Sequence, residues 1–77
     1  MKYTLITRGT GWGDKITECS TLKQANLYFK AEARDWLGYN SYILDYRQFT
    51  GSLLVNGELV EEWELRNKSL AISKRKL

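Results

Sequence analysis

The dipeptide Asn56-Gly57 constrains the fold of this chain more than any other feature, because it separates two short apolar runs. A two-residue turn of type I′ needs a positive φ at both central positions, and asparagine and glycine adopt that conformation most readily. Residues 53–55 and 58–60 are therefore predicted to be the paired strands of a hairpin. Their register places Val55 opposite Glu58, Leu54 opposite Leu59 and Leu53 opposite Val60.

This register also assigns side chains to the two faces of the sheet. The face toward a helix is expected to carry Leu54, Leu59, Trp63 and Leu65. Leu53, Val55 and Val60 then share the opposite face, which is normally polar when an antiparallel sheet carries one helix. Either the segment 70–72 folds back over this patch or a second chain covers it. The second chain is favoured, since a domain of 77 residues has a thin core and gains stability by association.

An alternating pattern predicts another hairpin at the start of the chain. Its first strand covers residues 1–8, and residues 15–19 run back beside it. The glycine-rich segment 9–14 is then the turn between them. One face of the first strand carries Tyr3, Leu5 and Thr7.

The segment Thr21-Leu22-Lys23-Gln24 has the form of a capping box, in which the threonine hydroxyl and the glutamine side chain each satisfy a free backbone N–H at a helix start. A helix from Leu22 to about Leu37 is predicted to follow, with Gly38 as its left-handed C-cap. Its core-facing stripe has helical spacing: Leu22, Ala25, Phe29, Ala33 and Trp36. Its flank carries a basic ridge formed by Lys23, Lys30 and Arg34, next to Leu27.

Residues 41–49 are rich in strand formers and are predicted to be a strand, whereas residues 50–52 are either a turn or a glycine bulge. The order of elements predicts an α+β fold, β-β-α-β-β, with one amphipathic helix packed on one face of an antiparallel sheet. Residues 1–65 form this domain. Residues 66–77 form a basic C-terminal tail, because they carry five Lys/Arg and no acid. The acidic segment 58–64 either pairs with this tail or presents a separate surface.

Histidine is absent from the sequence, and Cys19 is the one cysteine. This composition excludes a histidine base, the serine–histidine and cysteine–histidine pairs, and the common zinc sites. Glu61 or Asp45 beside a tyrosine or a lysine is the best remaining set, and no spacing brings such a set together. We therefore predict a protein that is not an enzyme and has no cofactor or metal. A cytoplasmic protein is predicted because no apolar run approaches the length of a spanning helix and the first residues have no long apolar stretch. The single cysteine agrees with this, and Cys19 is predicted to be buried as a small apolar residue.

The segment around the first turn has more than one interpretation. Gly11, Trp12 and Gly13 are predicted to bind a protein partner, because a tryptophan between glycines has little fixed surface to pack on and large aromatics dominate interfaces. The alternative is that Trp12 folds over the sheet edge as a lid on the core. A third possibility is a phosphate cradle made of turn N–H groups with Arg8, Thr10 and Lys15.

The basic side chains support a nucleic-acid alternative. The ridge and the tail supply six positive charges if they face the same way: Lys23, Lys30, Arg34, Lys74, Arg75 and Lys76. The acidic segment 58–64 would repel the same ligand. Three tyrosines are candidates for stacking on bases: Tyr39, Tyr42 and Tyr46. Ordinary sheet packing is favoured for them, because tyrosine is a good strand former.

The layout over most of residues 1–65 resembles the small accessory proteins encoded by bacteriophages. The resemblance is carried by the glycine-tipped hairpin, by Ser20-Thr21-Leu22-Lys23-Gln24-Ala25 at the helix start, and by the second hairpin from Thr50-Gly51 to Gly57-Glu58-Leu59-Val60-Glu61-Glu62-Trp63. It implies a viral protein that occupies host machinery, such as an anti-CRISPR or another counter-defence inhibitor, often as a dimer.

Three function hypotheses follow. The first is a non-enzymatic inhibitor of a host or defence protein, anchored by Trp12, with Leu53, Val55 and Val60 as the partner or self-association surface. The second is an oligomeric module that sequesters a nucleotide or another phosphorylated small molecule. The third is a nucleic-acid-binding accessory protein that uses the basic ridge and tail.

Overall fold

The computed structural model describes residues 1–40, 42 and 45–77, and it contains one antiparallel sheet and one long helix. The strands follow the order β2-β1-β3-β4-β5 across the sheet. The predicted α+β fold is confirmed, with one strand more than expected. The elements are β1 (Tyr3–Gly9), β2 (Trp12–Cys19), α1 (Leu22–Tyr39), a short 3-10 helix (Tyr46–Gln48), β3 (Phe49–Val55), β4 (Glu58–Leu65) and β5 (Ile72–Lys76).

The start of α1 forms as the capping box predicts. The backbone N–H of Gln24 donates to Thr21 Oγ1 over 3.1 Å, and the N–H of Ser20 donates to Gln24 Oε1 over 2.8 Å. The buried stripe is Ala25, Phe29, Ala33 and Trp36. Leu22, which was expected in that stripe, is 41% exposed.

The end of α1 differs from the prediction. The helix continues through Gly38 to Tyr39 and is capped by Asn40, not by a left-handed glycine. Asn40 replaces that cap because its backbone N–H donates to the Leu37 carbonyl and its side-chain amide donates to the Trp36 carbonyl. Two of the terminal carbonyls are thereby satisfied.

The predicted strand over residues 41–49 is wrong in its described part. Tyr46–Gln48 is a 3-10 helix, and the strand begins only at Phe49. Residues 41, 43 and 44 lie outside the described residues. Asp45 starts the 3-10 turn, because its carboxylate accepts the backbone N–H of Arg47.

Gly51 is neither in a turn nor at a bulge; it continues β3 in regular register opposite Thr7 of β1. The reason for a glycine here is contact with the helix. A Cβ at this position would lie 2.8 Å from Cε2 of Phe29, which is closer than real Cβ atoms come. Phe29 also packs edge-on against Phe49 and Trp63 at the centre of the core.

A β-bulge in β4 changes which residues face the helix. Leu54 pairs with Leu59 as predicted, but Leu53 pairs with Glu61, so Val60 is an additional residue without a partner across the ladder. Because side chains alternate with period two, one extra residue reverses the face of everything on one side of it. Trp63 therefore faces the helix while Leu59 does not.

The prediction that Leu53, Val55 and Val60 share the free face is wrong for this reason. Leu53 is only 2% exposed and belongs to the core. Val55 lies two residues further along β3, on the helix side, and Val60 is partly buried against the core. The free face carries Leu54 and Leu59 instead.

The predicted basic tail contributes an edge strand. In β5, Lys76 pairs with Glu61, Arg75 with Glu62 and Lys74 with Trp63. Leu70 and Ile72 pack against the core, so this segment does fold back, although onto the helix side of the sheet. In the described part of the chain, no helix combines the length and apolarity needed to cross a bilayer.

Candidate functional site

The two flanks of α1 face opposite edges of the sheet. Two side-chain contacts show which flank faces β2 and which faces β5. Glu32 forms a salt bridge with Lys15 of β2. Asn26 accepts a hydrogen bond from Lys74 of β5, with 2.6 Å between Lys74 Nζ and Asn26 Oδ1. Residues three or four apart are neighbours on a helix surface, so each contact assigns the residues around it to the same flank.

The flank beside Asn26 is basic. Lys23 and Lys30 lie three residues before and four residues after Asn26, and Arg34 is a further four along. On the sheet, Lys74 and Lys76 occupy the helix side of β5, since they pair with Trp63 and Glu61. We call these five residues the basic flank: Lys23, Lys30, Arg34, Lys74 and Lys76.

The structure thus brings together five of the six cations predicted for nucleic acid. Arg75 is the exception, because it lies between Lys74 and Lys76 in β5 and points to the free face. Lys74 is the most constrained of the five. Its ammonium lies 4.4 Å from the centre of the Trp63 ring, in addition to its bond with Asn26.

None of the basic-flank residues has a carboxylate partner among the described residues. The salt bridges use other cations: Lys2, Arg8, Lys15, Arg47 and Arg66. Glu62 and Glu64, which were expected to repel a polyanion, pair with Ser52 and Thr50 on the free face. Glu58 and Glu61 are the acids of this segment on the helix side, since they pair with Val55 and Leu53. Trp63 Nε1 donates to Glu61 Oε1 over 2.8 Å.

The opposite flank of α1 carries aromatic and acidic residues. Tyr28, Asp35 and Tyr39 lie four before, three after and seven after Glu32, and so face β2. Tyr39 is 78% exposed, and its ring centre is 5.7 Å from that of Trp12. We call Trp12, Tyr28 and Tyr39 the aromatic flank.

Trp12 forms the lid on the core that was the alternative prediction for it, whereas its contact with a protein partner stays a prediction. The turn is tighter than expected, with Gly9 opposite Trp12, so Trp12 and Gly13 belong to β2 and Gly11 alone of the three lies in the turn. The Trp36 indole N–H donates to the Thr10 carbonyl over 3.2 Å and holds the tip against the helix. Trp12 packs on the core as a half-buried lid, while its contact with Tyr39 remains at the surface.

The predicted phosphate cradle is not brought together. Arg8 points to the free face, where it donates to Ser52 Oγ over 3.2 Å and lies 3.5 Å from Asp14. Lys15 points to the helix side, where its hydrogen bond and salt bridge with Glu32 raise its pKa. Thr10 is in the turn between them. Two cations on opposite faces cannot hold one phosphate.

The other predicted sites also separate. Tyr39 ends the helix, Tyr46 is in the 3-10 helix and Tyr42 is an exposed loop residue, so no shared strand face stacks bases. Hydrogen bonds from Arg47 lower the pKa of Asp45. Burial raises the pKa of the Cys19 thiol, which makes its thiolate less available.

The free face has an apolar corner that the sequence reasoning missed. Ile6 pairs with Ile16 across β1 and β2, and Leu54 pairs with Leu59 across β3 and β4. Ile16 is 66% exposed and Leu59 is 43% exposed. The position of Ile16 could have been predicted from the sequence. Ile6 alternates with Leu5 and Thr7 and so faces away from the helix, and Ile16 is opposite Ile6 in the hairpin. Leu59 was misassigned because the sequence does not reveal the bulge.

Comparison of the chain with protein-family models, with curated protein sequences and with solved structures finds no match.

Proposed function

We propose that this chain is a non-enzymatic binding protein that occupies a protein partner through the aromatic flank, in the manner of small phage-encoded inhibitors. The observation that carries the proposal is the Trp12–Tyr39 pair, in which an exposed tyrosine is held against a half-buried tryptophan. Tryptophan and tyrosine are enriched among residues that dominate binding energy. A ring that is already ordered by its neighbour loses less entropy on binding.

The proposed partner surface includes the residues around this pair. Glu32 and Asp35 lie on the same flank, and Glu32 is engaged by Lys15. A partner that inserts Tyr39 into an apolar pocket therefore gains from a basic group at the pocket rim, opposite Asp35. Gly11 adds an open stretch of backbone, since a Cβ added at this residue would meet nothing within 4 Å.

The predicted dimer remains part of the proposal, with a corrected surface. The apolar corner of the free face (Ile6, Ile16, Leu54 and Leu59) replaces Leu53, Val55 and Val60 as the candidate for self-association. Ile6 and Leu54 are diagonal neighbours on β1 and β3, and they connect the exposed Ile16 on β2 with the exposed Leu59 on β4. A continuous apolar patch of this kind is typical of interfaces. The proposed compartment is the cytoplasm of the host cell.

Site-specific photocrosslinking tests the protein-binding function. A photoreactive phenylalanine analogue at position 39 should give a crosslinked band with one cellular protein, while the analogue at position 42 should not. Tyr42 is a matched control because it is 76% exposed, close to the 78% of Tyr39. Tyr39→Ala should abolish binding of the purified partner, and Tyr42→Ala should leave it unchanged. Equal crosslinking from both positions would contradict the proposal.

A further inference from the structure

We propose that the basic flank binds the phosphodiester backbone of double-stranded nucleic acid without reading its sequence. This surface lies across α1 from the aromatic flank, and the inference does not depend on the proposed protein partner. It rests on the contact between Lys74 and Asn26, which places the helix cations and the β5 cations on one side of the molecule.

The dimensions of the flank suit a duplex. Lys23 and Arg34 are eleven residues apart in α1, which is about 16 Å along a helix at ~1.5 Å per residue. A duplex carries a negative charge every ~1.7 Å of its axis, so that length presents about nine phosphates. Only the phosphates on the near side of the duplex can contact the flank, and five cations along two neighbouring elements are comparable with that number.

The charge of the flank is available to a ligand. None of its five residues forms a salt bridge with a described carboxylate, in contrast to Arg8, Lys15 and Arg47. Lys74 is held in place by Trp63 and Asn26, so ordering it on a phosphate costs little further entropy. Glu61 is the acid closest in register to the flank, opposite Lys76.

The side chains favour backbone contact over base recognition. Four of the five are lysines, which act as point charges, and Arg34 is the one planar fork. Phosphate contacts fix position but carry no sequence information. A membrane surface is the competing polyanion, and it requires bulky apolar groups among the cations. Leu22 and Leu27 are the large exposed apolar side chains beside the basic ridge, and two leucines are a small anchor.

The test compares two double variants that remove the same charge from different places. Lys30→Gln with Lys76→Gln removes two cations of the basic flank. Lys68→Gln with Arg75→Gln removes one from the β4–β5 connection and one from the free face. Binding to a 20-base-pair duplex labelled with fluorescein is measured by anisotropy at 50, 100 and 200 mM salt, after circular dichroism has shown that both variants are folded.

Each lost phosphate contact reduces the slope of log K against log salt by about 0.9, which weakens binding by a factor of about eight at 0.1 M salt. The flank variant loses two contacts, so its affinity at 0.1 M salt should be roughly 60-fold weaker. The control variant should change the affinity by about twofold or less. Equal weakening by both variants would mean that net charge alone is responsible and would overturn the inference. So would the absence of binding at 50 mM salt, or binding to vesicles rich in phosphatidylserine but not to the duplex.

Discussion

The contact between Phe29 and Gly51 gives the sharpest prediction about stability. In Gly51→Ala, the new Cβ would lie 2.8 Å from Cε2 and 2.9 Å from Cδ2 of Phe29. The ring cannot move away freely, because it is fully buried and packs against Phe49 and Trp63 at centroid distances of 5.2 and 5.5 Å. The substitution therefore forces α1 and β3 apart.

The expected size of the effect follows from two opposing contributions. Overpacking a core by a methyl group destabilises by about 1–3 kcal/mol. Replacing glycine by alanine stabilises by about 0.4–1 kcal/mol through the unfolded chain. The net loss in the free energy of unfolding is about 1–2 kcal/mol, which lowers Tm by about 4–16 °C in a domain of this size.

Urea denaturation and calorimetry measure this loss, with Gly13→Ala as the matched control. Gly13 also lies in a strand, but nothing is within 4 Å of its Cβ position and its φ is not positive. Gly13→Ala should leave Tm unchanged or raise it slightly. If Gly51→Ala were as stable as Gly13→Ala, the packing of Phe29 on the β3 backbone would not explain the glycine.

Four further predictions test other parts of the structure. Thr7 Oγ1 is buried without a hydrogen-bond partner among the described residues. Thr7→Val should therefore raise the free energy of unfolding by about 1 kcal/mol in urea denaturation. A lower free energy of unfolding would mean that the hydroxyl does have a hydrogen-bond partner. Ile16→Lys should shift native mass spectra toward monomer, whereas Leu27→Lys on the helix should not. Arg47 lowers the pKa of Asp45 from its ordinary 3.8, so this carboxylate stabilises the fold above that pH and the contribution is lost as pH falls through the lowered pKa. The difference in Tm between the wild-type protein and Asp45→Asn should therefore shrink between pH 5 and pH 3. Deleting Val60 leaves Leu54 opposite Leu59 and Leu53 opposite Glu61 in a regular ladder, so circular dichroism should show a folded protein, whereas deleting Ile6 from the central strand β1 should unfold it.

Local chemistry made much of the fold predictable. The capping box at Thr21, the turn at Asn56-Gly57 and the stripe through Phe29 and Trp36 each depend on residues close in sequence, and the structure forms all three. β5 could not be predicted in the same way. Its residues are mostly exposed and charged, and its strand conformation depends on pairing with β4.

The candidate surfaces were harder to predict, because they depend on which face of the sheet and which flank of the helix each side chain occupies. The basic ridge on α1 followed from helical spacing, but spacing cannot say which sheet edge a flank of the helix approaches. That information comes from the Lys74–Asn26 and Lys15–Glu32 contacts, which join residues 48 and 17 positions apart. The prediction of a phosphate cradle also depended on which face each side chain occupies. Arg8 and Lys15 are close in the hairpin, but their side chains lie on opposite faces of the sheet.

The bulge at Val60 links the fold to the function that we propose. In a regular strand, Leu59 and Trp63 would share one face, so a buried Trp63 would place Leu59 on the helix side and remove it from the exposed corner with Ile16. With the bulge, Leu59 is 43% exposed while Trp63 remains fully buried beneath Lys74. One additional residue in β4 therefore allows the same strand to place Leu59 on the free face and Trp63 on the helix side, where its ring positions Lys74 in the basic flank. Bulges commonly redirect side chains near functional sites, and here the redirection separates a candidate self-association surface from a candidate nucleic-acid surface on opposite sides of one sheet.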